Sequence, residues 1–487
     1  MSDRQGRLGP DWEALQRSLS GLVALPGSVA YERARPPFIA WFDDLQPQAV
    51  VSCAAAGDVA QALAFARRCR LAVAVRSGGH CFAGFSSTRG LVVDVSPLDS
   101  VVVAGGVVGV GAGARLGELY ERLLEHGLTV PAGTCPSVGI GGLALGGGHG
   151  ILGRAYGLTL DHLVGAQVVL ADGRVAACDE HHDGDLFWAL RGAGAGNFGV
   201  VTSLTFRPRP APASMANFHL AWPPEQAAAV IAAWQRWAPP GPVELAADLE
   251  LTAAGDLAIA PAVAVYGAVL GTRRDADGLL DELTALAGAD PLSRVCTELS
   301  FRDTVRYQAA PDAGGGQVTP GAAEGQATPA PAGDSSRRRH RFTKSEFFDR
   351  PLPSQAIAAL AGHLAGQRTP GQDRSVMFAP WAAAYNQQPT QATAFAHRSQ
   401  LFLVEHEAVT APGASAAAHR AAHQWVTASW ASVHRWGSGR VYPNFPDPGL
   451  TDWGRAYYGG NAPRLRIIKA RYDPEAVFGS RQPLLAR

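Results

Sequence analysis

The sequence predicts an α+β protein with two main domains, and three observations support that prediction. The chain has 487 residues, enough for two to four domains. Residues 71–207 combine short β-branched runs with Gly-rich turns, which is typical of a compact α+β module. Residues 208–430 alternate strand-like stretches with Ala-rich helix-like stretches, which indicates a second domain built around a sheet.

The composition excludes several classes of protein. Lys+Arg and Asp+Glu both number 42, so no net charge draws the chain to nucleic acid or to an anionic membrane. Six cysteines without a CxxC pair argue against a disulfide framework or a zinc knuckle. His419 and His423 lie four apart, but Arg420 stands where an HExxH motif needs Glu, so no metal site is expected.

Membrane and export signals are not evident in the sequence. The apolar stretch at 101–114 is Gly-rich and only about half as long as a membrane span. The first residues lack the apolar run of a signal peptide, so we expect a cytoplasmic protein with no membrane partner.

The remaining elements are taken in chain order. Residues 12–25 and 58–70 predict helices, and the segment VVLADGRVAA predicts a hairpin with a tight turn at Asp172-Gly173. Residues 309–341 hold little besides Gly, Ala, Pro, Gln, Thr and a basic cluster, so we expect a disordered insertion there. Residues 431–487, rich in aromatics, are expected to return to the first module.

Two Gly-rich stretches are the candidate ligand-binding segments. Arg76-Ser77-Gly78-Gly79-His80 follows a strand, and such a turn lets backbone N–H groups converge on an anion such as a pyrophosphate. Residues 133–158 hold ten more glycines, which a large flat or phosphorylated ligand would explain, and Cys135 lies at the front of that stretch. Taken alone, a His such as His80 after Gly-Gly is more often a turn residue than a catalyst, and Cys135 would be an inert thiol.

Motifs of other enzyme classes are absent or unconvincing. Two GxGxxG matches do not follow a strand and open a helix with an acidic residue at the expected distance. No lysine follows a glycine, which rules out a Walker A motif, and GxSxG does not occur.

Four ordered motifs resemble those of the berberine-bridge-enzyme-like FAD-linked oxidases, in the vanillyl-alcohol-oxidase (PCMH-type) flavoprotein superfamily. They are RSGGHCFAGFSSTRGLVVDVS, GTCPSVGIGGLALGGGHGILGRAYGLTLDHL, DLFWALRGAGAGNFGVVTSLTF and VYPNFPDP with the following YYGGNAPRLRIIKARYDPEAVF. The similarity spans residues 38–483 apart from the insertion. It implies a PCMH-type FAD-binding module of two α+β subdomains, 1–207 and 431–487, and a substrate domain, 208–430, with a large antiparallel sheet backed by helices.

The resemblance also implies how FAD is held. In the family the His of RSGGH bonds the flavin 8α-methyl carbon and the Cys of GxCxxVG bonds flavin C6, which here are His80 and Cys135. Cys81 stands where the family commonly has Ser. The implied noncovalent FAD contacts are Arg76, Ser77, Gly78, Gly79, Gly84, Ser86, Val138, Gly142, Gly147, His149, Gly150, Asn197, Val201 and Asn444.

The implied chemistry is two-electron oxidation of an alcohol, such as a sugar, a glycoside or an aromatic secondary metabolite, with O2 reduced to hydrogen peroxide. The Y-x-N-x-x-D motif makes Tyr442 the expected base, with a packed aromatic as the alternative, and a small residue at Val138 is associated with O2 access. Assistance is expected from the middle sheet, where Trp381, Tyr385 and Glu405 are candidates. A flavin dehydrogenase with another acceptor and an oxidative cyclase remain open, and the sequence does not predict an oligomeric state.

Overall fold

The computed structural model describes residues 10–309, 338–411, 413–479 and 481–484 of the 487-residue chain. Their strands form four sheets of four, five, two and seven strands. Within this part of the chain no helix is both long and apolar enough to cross a bilayer. Short 3₁₀ turns occur at Ala40–Phe42, Thr159–His162, Pro224–Gln226, Ala383–Asn386 and Gly459–Asn461.

The insertion predicted at 309–341 falls mainly on residues 310–337, which lie outside the described residues. Its predicted end is wrong, because a strand already begins at His340. The guanidinium of Arg338 pairs with the Asp43 carboxylate, which anchors the chain to the first module just before that strand. Part of the basic cluster is therefore ordered by ion pairing and by strand pairing.

The first sheet, of four strands, belongs to the entry region of the chain. Its strands are β1 (Leu22–Ala24), β2 (Ala49–Ser52), β3 (Val73–Arg76) and β4 (Leu91–Asp94). They lie in the order β1-β2-β4-β3, and only β1 is antiparallel to its neighbour. Three helices accompany this sheet: α1 (Trp12–Arg17), α2 (Val29–Ala34) and α3 (Ala56–Cys69).

The helix predicted at 12–25 is shorter than expected. It ends at Arg17, and the Gln16 side chain explains the change, since it bonds the carbonyl of Gly21 and the N–H of Val23. These bonds turn the chain out of the helix and into β1.

The second sheet, of five antiparallel strands, completes the first module. Its strands are β5 (Val101–Ala104), β6 (Val107–Gly111), β8 (Leu163–Val169), β9 (Val175–Cys178) and β10 (Val200–Phe206), with β7 (Leu128–Thr129) and β11 (Arg209–Pro210) pairing separately. They lie in the order β5-β6-β10-β8-β9. The predicted hairpin with its turn at Asp172-Gly173 is confirmed, since Leu170 bonds Arg174 and β8 pairs with β9.

Four helices belong to this second subdomain. They are α4 (Leu116–Leu124), α5 (Ile140–Gly146), α6 (Gly153–Tyr156) and α7 (Gly184–Ala193). One hydrophobic core runs continuously through both subdomains and includes residues of β2, β4, β6, β8 and β10. The two sheets therefore form one packed module.

The middle domain is built on the seven-stranded sheet. Its strands are β12 (Ser214–Trp222), β13 (Leu245–Ala253), β14 (Ala262–Val269), β15 (Ser293–Ser300), β16 (His340–Phe348), β17 (Gln372–Pro380) and β18 (Phe402–Thr410). All pairings are antiparallel, in the order β15-β12-β14-β13-β17-β18-β16. The expected large antiparallel sheet is confirmed.

Helices cover one face of this sheet. They are α8 (Ala227–Trp237), α9 (Arg273–Ala287), α11 (Ser354–Ala365) and α12 (Ala416–His434), while α10 (Phe301–Gln308) continues from the end of β15. Leu245, Leu249 and Leu251 of β13 join the core under the helices. Because side chains alternate along a strand, the residues between them face the other way. That second face is the one available to line a site.

The C-terminal segment contacts the first module through two helices. Its helices are α13 (Trp453–Tyr458) and α14 (Ala462–Tyr472). The Lys469 ammonium donates to the Asn197 carbonyl at 2.5 Å, and the Tyr472 hydroxyl donates to Asp185 at 2.7 Å. Helix α12 of the middle domain runs to His434, a few residues beyond the boundary expected at 430.

A buried ion pair joins the first module to the middle domain. The Arg398 guanidinium contacts both Asp161 carboxylate oxygens, at 2.6 and 2.9 Å. The Arg398 side chain is 1% exposed and that of Asp161 9%, so water screens this pair weakly. The pair fixes the loop before β18, in the middle domain, against the 3₁₀ turn before β8, in the first module.

Candidate active site

The turn after β3 has the backbone that its glycines predict. Gly79 and Gly84 have φ of +76° and +70°, where a side chain is strained. A Cβ at Gly84 would come within 2.5 Å of the Phe42 ring. A Cβ at Gly78 would come within 2.2 Å of the Gly139 nitrogen, so the two Gly-rich stretches are in backbone contact.

Arg76 shapes this turn from inside the protein. Its Nε donates to the Ser86 carbonyl at 3.0 Å, and its other nitrogens donate to the carbonyls of Ala34 and Arg35. Burial lowers the pKa of Arg76. The resemblance implied that Arg76 contacts the pyrophosphate directly. In the structure its guanidinium instead donates to backbone carbonyls.

Two buried hydroxyl groups in the same turn lack partners among the residues that the structure describes. The oxygens of Ser86 and Ser87 are shielded from solvent and have no hydrogen bond to a described residue. A buried polar group without a partner costs about 1–3 kcal/mol. Phosphate oxygens would accept from both hydroxyls, so the donor set fits the pyrophosphate of FAD.

His80 and Cys135 meet at one hydroxyl group. The Ser137 oxygen lies 3.1 Å from the His80 Nε2 and 3.5 Å from the Cys135 sulfur. The two candidate nucleophiles come from different Gly-rich stretches, yet their separation is at most the sum of those distances. Flavin C6 and the 8α-methyl carbon lie on the same ring edge, so the spacing suits a bond to each.

The surroundings of His80 keep its imidazole neutral. Burial, with the nearby charges of Arg115 and Arg341, lowers the pKa of His80 to about 3. The Phe38 ring stacks on the imidazole with centroids 3.9 Å apart, which fixes its plane. The neighbouring Cys81 is less reactive, because burial raises the pKa of its thiol and so disfavours the thiolate.

Tyr442 and Asn444 pack directly on the backbone at the end of α5. The Tyr442 oxygen accepts hydrogen bonds from the Gly148 N–H at 2.7 Å and from the Asn444 amide at 3.1 Å. A Cβ at Gly146 would lie 2.0 Å from the Asn444 side-chain oxygen, and one at Gly147 would lie 2.8 Å from the Tyr442 ring. These glycines are required by the close approach of two side chains, whereas the sequence suggested the close approach of a ligand.

The electrostatics of Tyr442 combine two opposing effects. Burial raises its pKa to about 12, against hydrogen bonds from Gly148, Asn444 and His149 that favour the phenolate. The side chain is 1% exposed and contacts the His149 ring edge to face, with centroids 5.4 Å apart. Burial also lowers the pKa of His149 to about 4, so that imidazole is neutral near pH 7.

The three side chains suggested for the middle domain have different positions. Trp381 stacks on Tyr385 and contacts the Tyr442 ring edge to face, with its N–H donating to the His397 carbonyl. The Tyr385 hydroxyl bonds the backbone of Gly150 at 3.1 and 3.2 Å. Trp381 and Tyr385 therefore lie beside Tyr442.

Glu405 lies farther along the site-facing side of β18, two residues beyond Leu403, which joins the same buried cluster as Tyr442. Burial and the charge of Glu407 raise its pKa.

The other implied FAD contacts line the same part of the module, and their roles stay predictions. The Ser77 hydroxyl donates to the Ala112 carbonyl at 2.7 Å. Asn197 donates to the Ala193 carbonyl and to the Tyr458 hydroxyl, so it joins α7 to the C-terminal segment. Val201 is buried and Val138 partly buried in the module core, whereas Gly142 is exposed on α5.

Several side chains near the site were not predicted. Ser137 follows Cys135 by two positions, but nothing in the sequence links it to His80. Asp248 and Glu250 alternate with leucines on β13, a period of two that signals a strand with one polar face. No group of three or more potential metal ligands occurs among the described residues.

Comparison with known proteins identifies the family. Residues 47–179 match the pattern of a family described as FAD binding domain, and residues 441–484 match one described as berberine and berberine like. The FAD-linked oxidoreductase YgaK of Bacillus subtilis is 32% identical over 448 residues, which cover 90% of this chain and 91% of that protein. The glucooligosaccharide oxidase of Sarocladium strictum is 29% identical over 455 residues, covering 90% and 87%.

A solved structure supports the same assignment of fold. Glucooligosaccharide oxidase from Acremonium strictum, described as carrying a 6-S-cysteinyl, 8α-N1-histidyl FAD, superposes with a TM-score of 0.84 at 24% identity, covering 98% of this chain and 99% of that one. The fold, the site and these similarities agree. The chain belongs to the berberine-bridge-enzyme-like FAD-linked oxidoreductases of the PCMH-type flavoprotein superfamily.

Proposed function

We propose that the protein is an oxidase that holds FAD through covalent bonds to His80 and Cys135. Its substrate is an alcohol of a sugar, a glycoside or an aromatic secondary metabolite, and O2 receives the electrons as hydrogen peroxide. Similarity to glucooligosaccharide oxidases supports a hydroxylated substrate. The bicovalent FAD described for the Acremonium strictum protein supports the mode of attachment.

The observation that carries this proposal is the convergence of two nucleophiles on Ser137. A neutral imidazole and a thiol whose sulfur is exposed are the side chains able to attack an electron-poor ring. A purely structural histidine would have no reason to lie beside a cysteine from a distant Gly-rich stretch. The two partnerless hydroxyls of Ser86 and Ser87 independently support a bound pyrophosphate.

When bound, FAD supplies a hydride acceptor beside the substrate carbon. Tyr442, as phenolate, takes the proton of the substrate hydroxyl, so that loss of a hydride leaves a carbonyl product. The hydrogen bonds from Gly148 and Asn444 hold the phenol oxygen in place and stabilise its negative charge. The aromatic rings of Trp381 and Phe395 around Tyr442 exclude water from this side of the site.

Val138 supports oxidase over dehydrogenase activity. In the family this position gates O2, and a valine leaves more space than a bulkier residue. Its side chain is partly buried against the module core, and its carbonyl accepts from Leu116. A substitution here therefore changes space near Cys135 with little change in backbone geometry.

The test measures whether O2 accepts the electrons when the enzyme turns over in air. We expect one equivalent of hydrogen peroxide for each equivalent of carbonyl product formed by the purified holoenzyme on an alcohol-bearing sugar panel. Val138→Leu should slow reoxidation by O2 at least tenfold and leave anaerobic flavin reduction within about twofold. Turnover with an artificial acceptor but without peroxide would identify a dehydrogenase instead.

A further inference from the structure

A set of carboxyl groups lies on the open face of the seven-stranded sheet. Asp248 and Glu250 of β13 alternate with residues that pack under the helices, so they point to the opposite face. Glu405 and Glu407 of β18 alternate in the same way with Val404 and Ala408. We call Asp248, Glu250, Glu405 and Glu407 the carboxyl cluster.

The strand register joins these groups into one surface. Glu250 and Glu405 both lie opposite Met377, the first across β13–β17 and the second across β17–β18. They are therefore in one row, two strands apart, or about 10 Å between Cα atoms. Asp248 lies two residues before Glu250 on β13, and Glu407 lies two residues after Glu405 on β18, so the two are on opposite sides of that row.

The carboxyl cluster adjoins the proposed base. Leu403 and Phe347 are paired neighbours on the same face of the sheet, two residues from Glu405 and from its partner Ser345 respectively. Both pack in one hydrophobic cluster with Tyr442. Two residues along a strand span about 7 Å. A substrate whose hydroxyl reaches Tyr442 would extend over these carboxyl groups.

The positive charge facing the cluster is small. The Arg341 guanidinium pairs with Glu407 at 2.7 Å, and within the described chain no other basic group forms an ion pair with a cluster member. Glu250 accepts hydrogen bonds from the hydroxyls of Tyr266, at 3.5 Å, and of Ser375, and both donors are neutral. Other titratable or charged groups facing this surface or near its edge are His219, Tyr266, Tyr385, Arg339 and Asp373.

Burial and nearby negative charge raise the pKa values of the carboxyl cluster. Burial, with the charge of Glu250, raises the pKa of Asp248 to about 7, and burial, with the charge of Glu407, raises that of Glu250 to about 7. Burial, with the charges of Glu407 and Glu250, raises the pKa of Glu405. Burial, with the charge of Asp373, raises the pKa of Glu407 against the lowering effect of Arg341 and Arg339. A bound cation would oppose each of these effects.

A second, independent feature points to a ligand on this face. Ser345 lies directly opposite Glu405 across β16–β18, so the two side chains share the face. Its hydroxyl is buried, the residue is 2% exposed, and the oxygen has no partner among the described residues. His219, opposite Tyr266 on this same face, is 7% exposed and its Nδ1 also lacks a partner.

We propose that the carboxyl cluster binds a protonated amine of the substrate, so that the alcohol oxidised at Tyr442 belongs to an amino sugar or an amino-substituted glycoside. This inference rests on the proposed function. An ammonium group offers three donors and a positive charge to carboxylates whose negative charge Arg341, paired with Glu407, offsets only in part. A neutral hydroxyl at the same place would leave that repulsion unchanged.

The test uses three β-1,4-linked disaccharides that differ at carbon 2: di-glucosamine with an amine, cellobiose with a hydroxyl, and diacetylchitobiose with a neutral amide. Calorimetry of the holoenzyme without O2, at about pH 6, measures each dissociation constant while the amine is protonated. We expect di-glucosamine to bind at least tenfold more tightly than the other two. Its binding should also release protons from the cluster, which cellobiose binding should not.

Variants assign the preference to these residues. Glu405→Gln and Glu250→Gln keep the shape of the side chain, and each should reduce the amine preference to about twofold or less. Glu282→Gln, on the exposed surface of α9, is the matched control and should retain the full preference. If a glutamine variant does not fold, the relative affinities of the wild-type protein for the three disaccharides, with the proton release, still test the proposed amine site.

The outcomes separate this inference from the proposed function. Equal binding of di-glucosamine and cellobiose, or no binding of di-glucosamine, overturns the amine site even if the flavin is reduced by a neutral sugar. An amine preference that the glutamine variants abolish supports the site, even if neither sugar reduces the flavin. Failure of both sugars to reduce the flavin would instead contradict the proposed oxidation of a sugar hydroxyl.

Discussion

His80 and Cys135 both contact the hydroxyl of Ser137, at 3.1 Å from the imidazole Nε2 and 3.5 Å from the sulfur. The contact at Nε2 leaves Nδ1 as the ring nitrogen with no hydrogen bond to a described residue. The Phe38 ring, stacked on the imidazole, holds that nitrogen in one orientation. One hydroxyl thus orients the two side chains that we propose to attach FAD.

Replacing Ser137 tests that orienting role. Ser137→Ala removes one hydrogen bond, worth about 1 kcal/mol, so we expect covalent incorporation of FAD into the apoprotein to slow about fivefold. Intact-protein mass spectrometry over time measures the fraction attached through one or two bonds. Ser137→Thr keeps the hydroxyl and serves as the control. Equal rates for serine and alanine would show that the hydroxyl has no orienting role.

The pH dependence of attachment follows from the lowered pKa of His80. An ordinary histidine, with a pKa near 6.5, becomes protonated and non-nucleophilic as the pH falls from 8 to 5. The pKa of His80 is lowered to about 3, so its neutral form persists throughout that interval. We therefore expect the histidyl bond to form at pH 5 within about twofold of its rate at pH 8. A tenfold or greater decline at pH 5 would contradict the neutral, buried imidazole.

Tyr442→Phe distinguishes a base from a packed aromatic. Loss of a general base costs about 10²–10⁴ in rate, whereas a packing role would survive the change to phenylalanine. Because burial raises the pKa of Tyr442 to about 12, its phenolate fraction grows with pH, and the wild-type rate of anaerobic flavin reduction should rise from pH 6 to 9. In the variant the residual rate should be nearly independent of pH.

The control for that substitution is Tyr385→Phe, which removes a nearby hydroxyl that bonds, among the described residues, only the Gly150 backbone. Stopped-flow absorbance of both variants, each with its flavin content measured first, gives the comparison. If Tyr442→Phe reduced flavin as fast as Tyr385→Phe, Tyr442 would not be the base.

The ion pair of Arg398 and Asp161 should contribute strongly to stability. Arg398→Met leaves the Asp161 carboxylate buried without its partner, so we expect a loss of about 3–5 kcal/mol in the free energy of unfolding. Urea denaturation followed by tryptophan fluorescence measures this loss. Arg17→Met removes an arginine from an exposed pair and should change stability by less than about 1 kcal/mol. Similar small losses for both would mean that the buried pair does not join the domains.

Much of the FAD module could be predicted because its signals are local. Its Gly-rich turns and the Asp172-Gly173 hairpin are readable within a few residues, as is the alternation along β13 in the middle domain. The need for Gly146 and Gly147 was also inferred, since such glycines imply close approach. Which groups approach them depends on the long-range return of Tyr442 and Asn444. The aromatic content of residues 431–487 and the resemblance both indicated that return, but neither indicated these contacts.

Other features depended on contacts that no local pattern contains. The Arg76 guanidinium binds carbonyls of Ala34 and Arg35, from a helix end distant in sequence, so its inward direction was not predictable. The register that aligns Glu250 with Glu405 passes through β17, between two other strands. The ordered end of the insertion, at Arg338, likewise depends on pairing with Asp43.

The most direct test of the account is to denature the purified holoprotein in acid and follow the yellow colour and the masses of its flavin peptides. We predict that the flavin stays with the wild-type chain and with His80→Ala and Cys135→Ala singly, and leaves only when both are replaced. Cys81→Ser should retain both bonds, and the wild-type flavin peptides should contain both His80 and Cys135. Complete release of the flavin from the wild-type protein into the acid supernatant would contradict the two-bond attachment.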